Sequence, residues 1–295
     1  MENDAMKTQE KNCGILLVAI SAVSFGLIPI FAKMAYAAGT SIYTLLFLRF
    51  LVATVFMFSL MIIRKLPLPS GREILSFILL GAFGYAGQAF CYFMALNYAS
   101  ASVVALLIYT YPALVMIGSA IFLKERVTAL KIVSLCFALV GAFVIIGAEF
   151  DASPPGIILA VLSAVFYSIY ILINSKIVKP GMGIQSSAFT MLGVVIVYGI
   201  MNLFAGFTPP KDTVGIIAVL LIAMISTVLA FWSFLTGLEK IGASTTALVS
   251  TLEPVVIILS SVLFLSERLT INIVLGGILI LTALIITTLS TKETA

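Results

Sequence analysis

The sequence predicts an all-α integral membrane protein with ten transmembrane helices, arranged as two five-helix repeats of inverted topology. Three observations predict this fold: a very apolar composition, ten apolar runs of membrane-spanning length, and an internal duplication. Charged residues make up 9% of the 295 residues and hydrophobic residues 62%, whereas about a quarter of a soluble chain is charged. A soluble domain of this size could not bury that much apolar surface.

The apolar runs are each about 20 residues long, which is the length of helix that crosses a bilayer. They fall at about 14–37, 42–63, 73–95, 100–123, 129–148, 156–175, 184–205, 213–236, 243–265 and 271–290. No charge separates the third run from the fourth, so the turn-like residues 97–100 mark their boundary. The first run is longer than the apolar part of a secretory signal, and we expect it to remain in the protein.

Lysine and arginine are unevenly divided between the two faces of the predicted bundle. With ten spans, 12 of the 16 basic residues lie on the face that holds both termini, and only two lie on the opposite face. The remaining two, Lys33 and Arg49, fall inside spans. By the positive-inside rule, we expect a multi-pass protein of the plasma membrane with both termini in the cytoplasm.

An internal repeat divides the chain into two halves. Residues 96–128 align with 238–270 without a gap, and 12 of the 33 positions are identical, where roughly three would match by chance. The predicted organisation is a cytoplasmic tail (1–13), a first repeat (14–148), a second repeat (156–290) and a C-terminal tail (291–295). Because five spans is an odd number, the second repeat enters the membrane from the opposite face, as in many secondary transporters.

Short motifs in both halves resemble those of the EamA-type drug/metabolite transporter superfamily. The motif of the second half is Pro254, then residues 263–270, then Gly276-Gly277, and the first half repeats part of it as Pro112 and residues 122–128. The first half also carries Phe25-Gly26 followed by Lys33 in the first span, and residues 48–50 in the second span. The resemblance covers nearly the whole chain. It implies ten spans, cytoplasmic termini and the transport of small metabolites, commonly their export.

The composition also excludes several classes of function. The chain has no histidine, which removes Ser-His and Cys-His catalysis and histidine-bound zinc. Its three cysteines lie far apart, and no phosphate-binding lysine loop occurs. We therefore expect no enzyme activity, no catalytic residues, no metal, no cofactor and no nucleic-acid partner. The expected partners are a small-molecule substrate and the lipid bilayer.

Three charged residues inside predicted spans are candidates for substrate binding. Glu253 lies near the middle of the ninth span, where a carboxylate either faces the substrate path or stays protonated and bonds backbone groups freed by Pro254. Arg49 in the second span has three alternatives: it binds an anionic substrate group, pairs with Glu253, or extends to the outer headgroups. Lys33 either extends to the headgroups or contacts substrate.

Polar side chains recur at helical spacing along two spans and predict helix faces that line a cavity. The sixth span carries Ser163, Tyr167, Tyr170 and Asn174, and the third carries Gly81, Tyr85, Gln88 and Tyr92. Such faces must point at other helices or at water, because acyl chains satisfy no polar group. Hydrogen bonding between helices is the alternative. A cavity lined by phenols and amides would suit a modest amphipathic solute.

Prolines interrupt three of the predicted spans. Pro29, Pro112 and Pro254 each remove an amide donor and free the carbonyl group four residues earlier. They are candidate hinges, with simple kinks as the alternative. The Glu-Arg pairs at 125–126 and 267–268 are expected to be structural. Small residues in the fifth and tenth spans permit close helix packing within one chain or between copies, so a homo-oligomer remains open.

Together these observations predict a secondary transporter that works by alternating access. Its expected substrates are small organic metabolites such as amino acids, with export as the favoured direction. A broad-specificity drug efflux carrier is the alternative within transport. A membrane scaffold or accessory subunit that transports nothing is the alternative outside it.

Overall fold

A computed structural model describes residues 2–122, 129–146, 153–179, 181–250 and 252–290, which are mainly helical and contain no β-strand. The first half forms α1 (Glu2–Gly26), α2 (Ile28–Ala37), α3 (Ile42–Ile63), α4 (Gly71–Leu79), α5 (Ala86–Ala95), α6 (Ala101–Ile108), α7 (Tyr111–Phe122) and α8 (Ala129–Ile146). The second half forms α9 (Pro154–Ile177), α10 (Gly183–Ala205), α11 (Thr213–Ala223), α12 (Ala230–Ser250), α13 (Leu252–Leu265) and α14 (Ile271–Ser290). Helix α1 thus begins inside the predicted N-terminal tail.

Six helices in the described part of the chain are long and apolar enough to cross a membrane. They span Asn12–Ala37, Ile42–Ile63, Gly71–Ala95, Pro154–Asn174, Gly183–Ala205 and Thr213–Gly237. The predicted fourth span is missing from this set because a turn at 109–110 divides it into α6 and α7. The predicted ninth span contains residue 251, which lies outside the described residues. Helix α13 and the start of α14, at Ile271–Ala283, are apolar but shorter.

Two of the divisions fall next to prolines that interrupt predicted spans. Helices α1 and α6 end at Gly26 and Ile108, and the next helices resume at Ile28 and Tyr111. Each resumed helix carries its proline at its second position, where an amide hydrogen is not needed for helical bonding. Residue 251, between α12 and α13, lies outside the described residues, and whether Pro29, Pro112 and Pro254 act as hinges or as simple kinks stays a prediction.

The two halves differ at the boundary between their third and fourth predicted spans. In the first half, the predicted break at 97–100 is present, and the Ser100 hydroxyl caps α6 by accepting a hydrogen bond from the Val103 amide, at 3.3 Å. In the second half, a break was predicted between 236 and 243, but α12 continues through these residues. Gly242 stands at the position of Ser100 and supplies no capping hydroxyl.

The main helix pairs join one half to the other. Helix α1 packs on α12, and α5 packs on α9. The two pairs are reciprocal, because α9 is the repeat equivalent of α1 and α2, and the start of α12 is the repeat equivalent of α5. Helices α3 and α10, and α8 and α14, are pairs of equivalent elements, and α6 packs on α13, which is the repeat equivalent of α7. Helices α8 and α14 approach so closely that a Cβ atom on Gly141 would lie 2.8 Å from the Gly276 carbonyl oxygen. These small residues therefore serve packing within the chain.

Both halves also contain a π-helical segment at nearly equivalent positions. Leu80–Tyr85 connects α4 to α5, and Met224–Leu229 connects α11 to α12. A π-helical turn bonds each amide five rather than four residues back, which displaces the helix face and redirects its side chains. The first segment packs against α10 where Gly81 meets the Thr190 backbone without room for a side chain.

Candidate functional site

A cavity of about 510 Å³ lies between the two halves of the chain. Twenty of the described residues line it, and half of these are aromatic: Phe25, Phe50, Tyr85, Tyr92, Phe93, Tyr109, Tyr111, Tyr167, Phe231 and Phe234. The charged lining residues are Arg49 from the first half and Glu253 from the second. A site of this size with mostly apolar walls and a few polar groups is typical of small-molecule binding.

The cavity lies where two of the proline-interrupted helices break. Phe25 and Ile28 flank the break between α1 and α2, and both line the cavity. Ile108 and Tyr109 lie at the break after α6, and Ser250, at the end of α12, also lines the cavity. The breaks before Pro29 and Pro112 therefore open onto one space, and any change of helix direction there would alter the shape of the cavity.

Arg49 is held in the cavity wall by one hydrogen bond and two aromatic rings. Its side chain is 4% exposed, so it does not extend to the headgroups. Its Nε donates a hydrogen bond to the Thr227 hydroxyl at 2.8 Å. The guanidinium carbon lies 5.0 Å from the Phe50 ring centroid and 5.2 Å from that of Phe93, within the range of cation–π attraction.

Glu253 lies in α13 directly before Pro254, and it lines the cavity together with Tyr109. Arg49 and Glu253, both in the described part of the chain, form no contact ion pair, although they are near enough to attract each other. The cavity therefore contains a guanidinium group, from Arg49, and a carboxyl group, from Glu253, that do not form an ion pair with each other.

A cluster of four tyrosines forms one wall of the cavity. The Tyr167 ring lies 4.7 Å from that of Tyr111, edge to face, and 6.5 Å from that of Tyr85. Tyr170 stacks on Tyr167 at 6.0 Å and lies 5.2 Å from Tyr85. Tyr85, Tyr111 and Tyr167 line the cavity, whereas Tyr170 is not a lining residue and packs against the rings of Tyr85 and Tyr167.

Gln88 lines the cavity and also forms hydrogen bonds between two helices, so it has both of the roles that were predicted as alternatives. Its side-chain amide donates to the Ser163 hydroxyl at 3.3 Å, and that hydroxyl donates to the Gln88 carbonyl oxygen at 3.1 Å. Hydrogen bonds of this kind hold α5 against α9 where lipid offers no alternative partner. Gln88 therefore belongs to a fixed part of the wall.

Of the eight predicted substrate-binding residues, five line the cavity: Arg49, Tyr85, Gln88, Tyr167 and Glu253. Tyr170, Asn174 and Lys33 are not among its lining residues, and their role in substrate binding stays a prediction. Asn174 accepts a hydrogen bond from the Ser186 hydroxyl at 3.3 Å, so it joins α9 to α10.

Lys33 instead contacts Glu267, and this acid makes the most connected polar contact among the described residues. Its carboxylate accepts hydrogen bonds from the Ala101 amide at 2.6 Å, the Ser102 amide at 3.2 Å and the Ser102 hydroxyl at 2.9 Å. Lys33 Nζ donates to the same carboxylate at 3.2 Å. We call this contact the Glu267 clasp; it joins the end of α13 to the N-terminus of α6.

The expected structural role of the Glu-Arg pair at 267–268 agrees with the clasp, although sequence spacing did not identify its partners. The equivalent pair at 125–126 lies outside the described residues. The residues that sequence reasoning missed are Thr227, Tyr109, Tyr111 and the rings of Phe50 and Phe93. The repeat offered one signal, since Tyr111 stands at the position equivalent to Glu253.

These features define a multi-pass membrane protein with a central cavity between two related halves. The model of the EamA-like transporter family matches residues 12–147 and again 154–289. The chain belongs to the EamA-like transporter family and contains two copies of its repeat.

Curated relatives agree with this assignment. The uncharacterised transporter YcbK of Bacillus subtilis is 28% identical over 285 residues, which cover 92% of this chain and 91% of that protein. An uncharacterised transporter of Archaeoglobus fulgidus is 29% identical over 68% of this chain and 73% of its own length. A solved crystal structure, described only as that of a protein, has a TM-score of 0.67 at 18% identity and covers 95% of this chain and 98% of its own. That last similarity shows a shared fold.

Proposed function

We propose that the protein is a secondary transporter that exports small organic metabolites, amino acids among them, across the plasma membrane by alternating access. The observation that carries this proposal is the cavity between the two repeats, which presents Arg49 and Glu253 unpaired within aromatic walls. A zwitterion satisfies both groups at once, with its carboxylate at Arg49 and its amine at Glu253. The surrounding rings suit an apolar or aromatic side chain.

The proposed topology is ten crossings in two inverted repeats with both termini in the cytoplasm. The two family matches support the duplication, and the reciprocal helix pairs, α1 with α12 and α5 with α9, support an exchange of equivalent roles. The four cytoplasmic loops and the termini then carry most of the basic residues. Epitope tags that became accessible at both ends on intact cells would contradict this orientation.

In this topology the Glu267 clasp lies on the outer side of the cavity. Lys33 and the start of α6 come from the first repeat and Glu267 from the second, so the clasp joins the halves above the cavity. Three hydrogen bonds and an ion pair hold this contact, and separating the halves there would expose a helix N-terminus and two charges. These contacts support a conformation closed to the outside, which export by alternating access requires before a cytoplasmic solute is released outward.

Proteoliposome counterflow tests the function directly. Vesicles containing the purified protein are loaded with unlabelled L-phenylalanine, and uptake of labelled L-phenylalanine is compared with that of protein-free vesicles. We expect uptake with wild type and a loss of about tenfold or more in Arg49→Gln and in Glu253→Gln, since each removes a charged hydrogen-bonding partner. Arg268→Gln is the matched control, because Arg268 is exposed and lies away from the cavity.

The alternatives give different results in the same vesicles. A broad-specificity drug carrier would transport lipophilic cations but not the amino acid, and Arg49→Gln would leave that transport unchanged. A scaffold or accessory subunit would transport no solute above the rate of protein-free vesicles. Uptake of L-phenylalanine at the wild-type rate by both Arg49→Gln and Glu253→Gln would remove the proposed binding mode.

A further inference from the structure

Thr227 lies at the contact between the two repeats, within the π-helical segment Met224–Leu229. Its hydroxyl group donates a hydrogen bond to the Ile222 carbonyl oxygen at 2.8 Å. A threonine hydroxyl has a single hydrogen to donate, so this bond leaves Thr227 only its acceptor lone pairs. The same oxygen accepts the hydrogen bond from Arg49 Nε at 2.8 Å. Thr227 is thus oriented by its own helix as an acceptor for Arg49.

The π-helical backbone contributes to this orientation. The Ile222 carbonyl oxygen is bonded by a hydroxyl five residues ahead, which matches the longer hydrogen-bond spacing of a π-helical turn. Thr227 itself is fully buried, so no water competes for its hydroxyl group. π-helical turns inside α-helices occur often at functional positions. Here the turn directs a buried hydroxyl group of the second repeat toward a buried cation of the first.

The contact also determines which edge of the guanidinium remains available. Arg49 donates its Nε to Thr227, and the Phe50 and Phe93 rings lie against the guanidinium group. Among the described residues, no protein acceptor bonds the two terminal NH₂ groups, and Arg49 lines the cavity. These two groups form the end-on edge of the guanidinium, which can bind both oxygens of one carboxylate.

We propose that Thr227 is a positioning residue for substrate recognition: it fixes Arg49 so that the end-on NH₂ edge faces the cavity and binds a carboxylate. This inference rests on the proposed function and deepens it by assigning the mode of carboxylate binding. Without the Thr227 acceptor, Nε would be left unsatisfied in a buried site, and Arg49 would turn to bond elsewhere. Thr227 does not itself touch the substrate.

The contact is tested first without any transport measurement. Arginine labelled with ¹⁵N at Nε gives five side-chain signals, one for each arginine of the chain, and Arg49→Lys identifies the signal of Arg49. We expect Thr227→Val, which has nearly the same shape but no hydroxyl, to shift the Arg49 Nε–H signal to the position of a weaker hydrogen bond. Thr227→Ser keeps the hydroxyl and should preserve the signal.

The matched control is Thr236→Val on α12. The Thr236 hydroxyl donates only to the Trp232 carbonyl oxygen of its own helix, at 2.8 Å, and makes no contact with Arg49 among the described residues. This variant should leave the Arg49 signal unchanged. An unchanged Arg49 signal in Thr227→Val would overturn the proposal, whether or not any substrate is known.

Ligand binding provides the second measurement, with L-phenylalanine and phenethylamine as probes. Phenethylamine has the same ring and amine but no carboxylate. Thr227→Val should weaken L-phenylalanine binding about fivefold, the effect of one misplaced hydrogen bond, and leave phenethylamine binding unchanged. Thr227→Ser should restore the wild-type preference. Equal weakening of both probes would indicate a merely structural role and would overturn the proposal.

The two measurements separate the failure of this inference from the failure of the proposed function. If the wild-type protein binds neither probe nor 3-phenylpropionate, which carries only the carboxylate, the proposed amino-acid function fails. The ¹⁵N measurement then decides by itself whether Thr227 positions Arg49. If wild type binds L-phenylalanine but Thr227→Val keeps both the signal and the affinity, the inference fails while the proposed function stands.

Discussion

The two repeats carry closely related sequences where their third predicted span meets their fourth, but their backbones differ there. Residues 96–102 and 238–244 share Leu, Ala and Ser at three aligned positions. In the first repeat the helix stops at Ala95 and a new helix begins at Ala101, whereas in the second repeat α12 passes through the equivalent residues. Similar sequences thus form an interrupted helix in the first repeat and a continuous helix in the second.

The interruption in the first repeat has partners that stabilise it. Ser100 caps α6, and the Tyr98 carbonyl oxygen accepts hydrogen bonds from both the amide and the hydroxyl of Ser153, at 3.2 and 3.1 Å. The Glu267 carboxylate bonds the next two amides, of Ala101 and Ser102. Each of these groups satisfies a backbone amide or carbonyl that a helix end leaves unpaired. The comparison teaches that long-range partners decide where this helix breaks.

For a transporter, such a difference between halves is informative because identical halves could not keep one face open and the other closed. Under the proposed topology, the interrupted junction with its clasp lies on the outer face, and the continuous helix lies on the inner face. The two repeats therefore hold different conformations of one related sequence, which is what alternating access requires of an inverted repeat. The predictions below test this difference, beginning with the largest expected effect.

The largest effect is expected from proline placed at the two equivalent positions. Gly242→Pro should destabilise the protein by about 3 kcal/mol or more, because proline removes an amide donor and clashes within a continuous helix. Ser100→Pro should cost only about 1 kcal/mol, the loss of the hydroxyl cap, since Ser100 already has φ −63° and precedes the helix. The free energies of unfolding in detergent measure both. Equal losses would mean that the two junctions do not differ.

The next effect is expected from Glu267→Gln, which keeps the size of the side chain but removes its charge. The new amide group would face backbone N–H donors, so the clasp should weaken by about 2 kcal/mol and the outer face should open roughly thirtyfold more often. A cysteine at Ala89 in the cavity wall, in a variant lacking Cys13, Cys91 and Cys136, reports this opening. Its labelling on intact cells by a membrane-impermeant maleimide should accelerate.

The control for that measurement is Arg268→Gln, one residue away and exposed. It should leave the labelling rate of the cysteine at position 89 unchanged. Labelling of Glu267→Gln at the wild-type rate, in protein that remains monodisperse, would show that the clasp does not close the outer face. Faster labelling by a reagent supplied only from the cytoplasmic side would place the clasp on the wrong face.

The smallest effect is expected from Lys33→Gln. The Lys33 and Glu267 side chains are 27% and 10% exposed, so water and salt weaken their attraction, and the loss should be about 1 kcal/mol or less. Cysteine labelling should rise a few-fold at low salt and approach the wild-type rate at high salt. If Lys33→Gln opened the outer face more than Glu267→Gln, the ion pair rather than the helix cap would be the main contact.

Much of the fold was predictable because the bilayer imposes simple rules on a sequence. Apolar runs of spanning length and the 142-residue offset between halves correctly indicated a helical membrane protein with two repeats, and the helices are broken before two of the three prolines, Pro29 and Pro112. The break at 97–100 was predictable from its turn-like residues. The continuous helix through 236–243 was not predictable, because a glycine and charged residues, which often mark a helix end, are also compatible with a helix that continues.

The candidate site was predictable where one helix face contained the signal. Tyr85, Gln88 and Tyr167 line the cavity as their spacing predicted, and Arg49 and Glu253 do so as charged residues inside spans. Helical spacing gives the face of a helix but not the length of the cavity along it, so Asn174 was included although it bonds Ser186. The contact of Lys33 with Glu267 was not predictable in this way, because the two residues are 234 positions apart in sequence.

By itself, the sequence determined that the chain is apolar enough for the membrane, that it is duplicated, and that prolines interrupt the hydrogen bonding of three of its spans, since each property follows from composition or local backbone chemistry. The tertiary structure alone decided that Thr227 orients Arg49, that Glu267 caps α6, and that one junction is interrupted while its equivalent is continuous. These contacts join residues far apart in the chain, and their free energy depends on burial and on partners supplied by other helices. No local pattern encodes such partners, because the same threonine or glutamate on a helix facing lipid or water would bond only its own backbone or solvent.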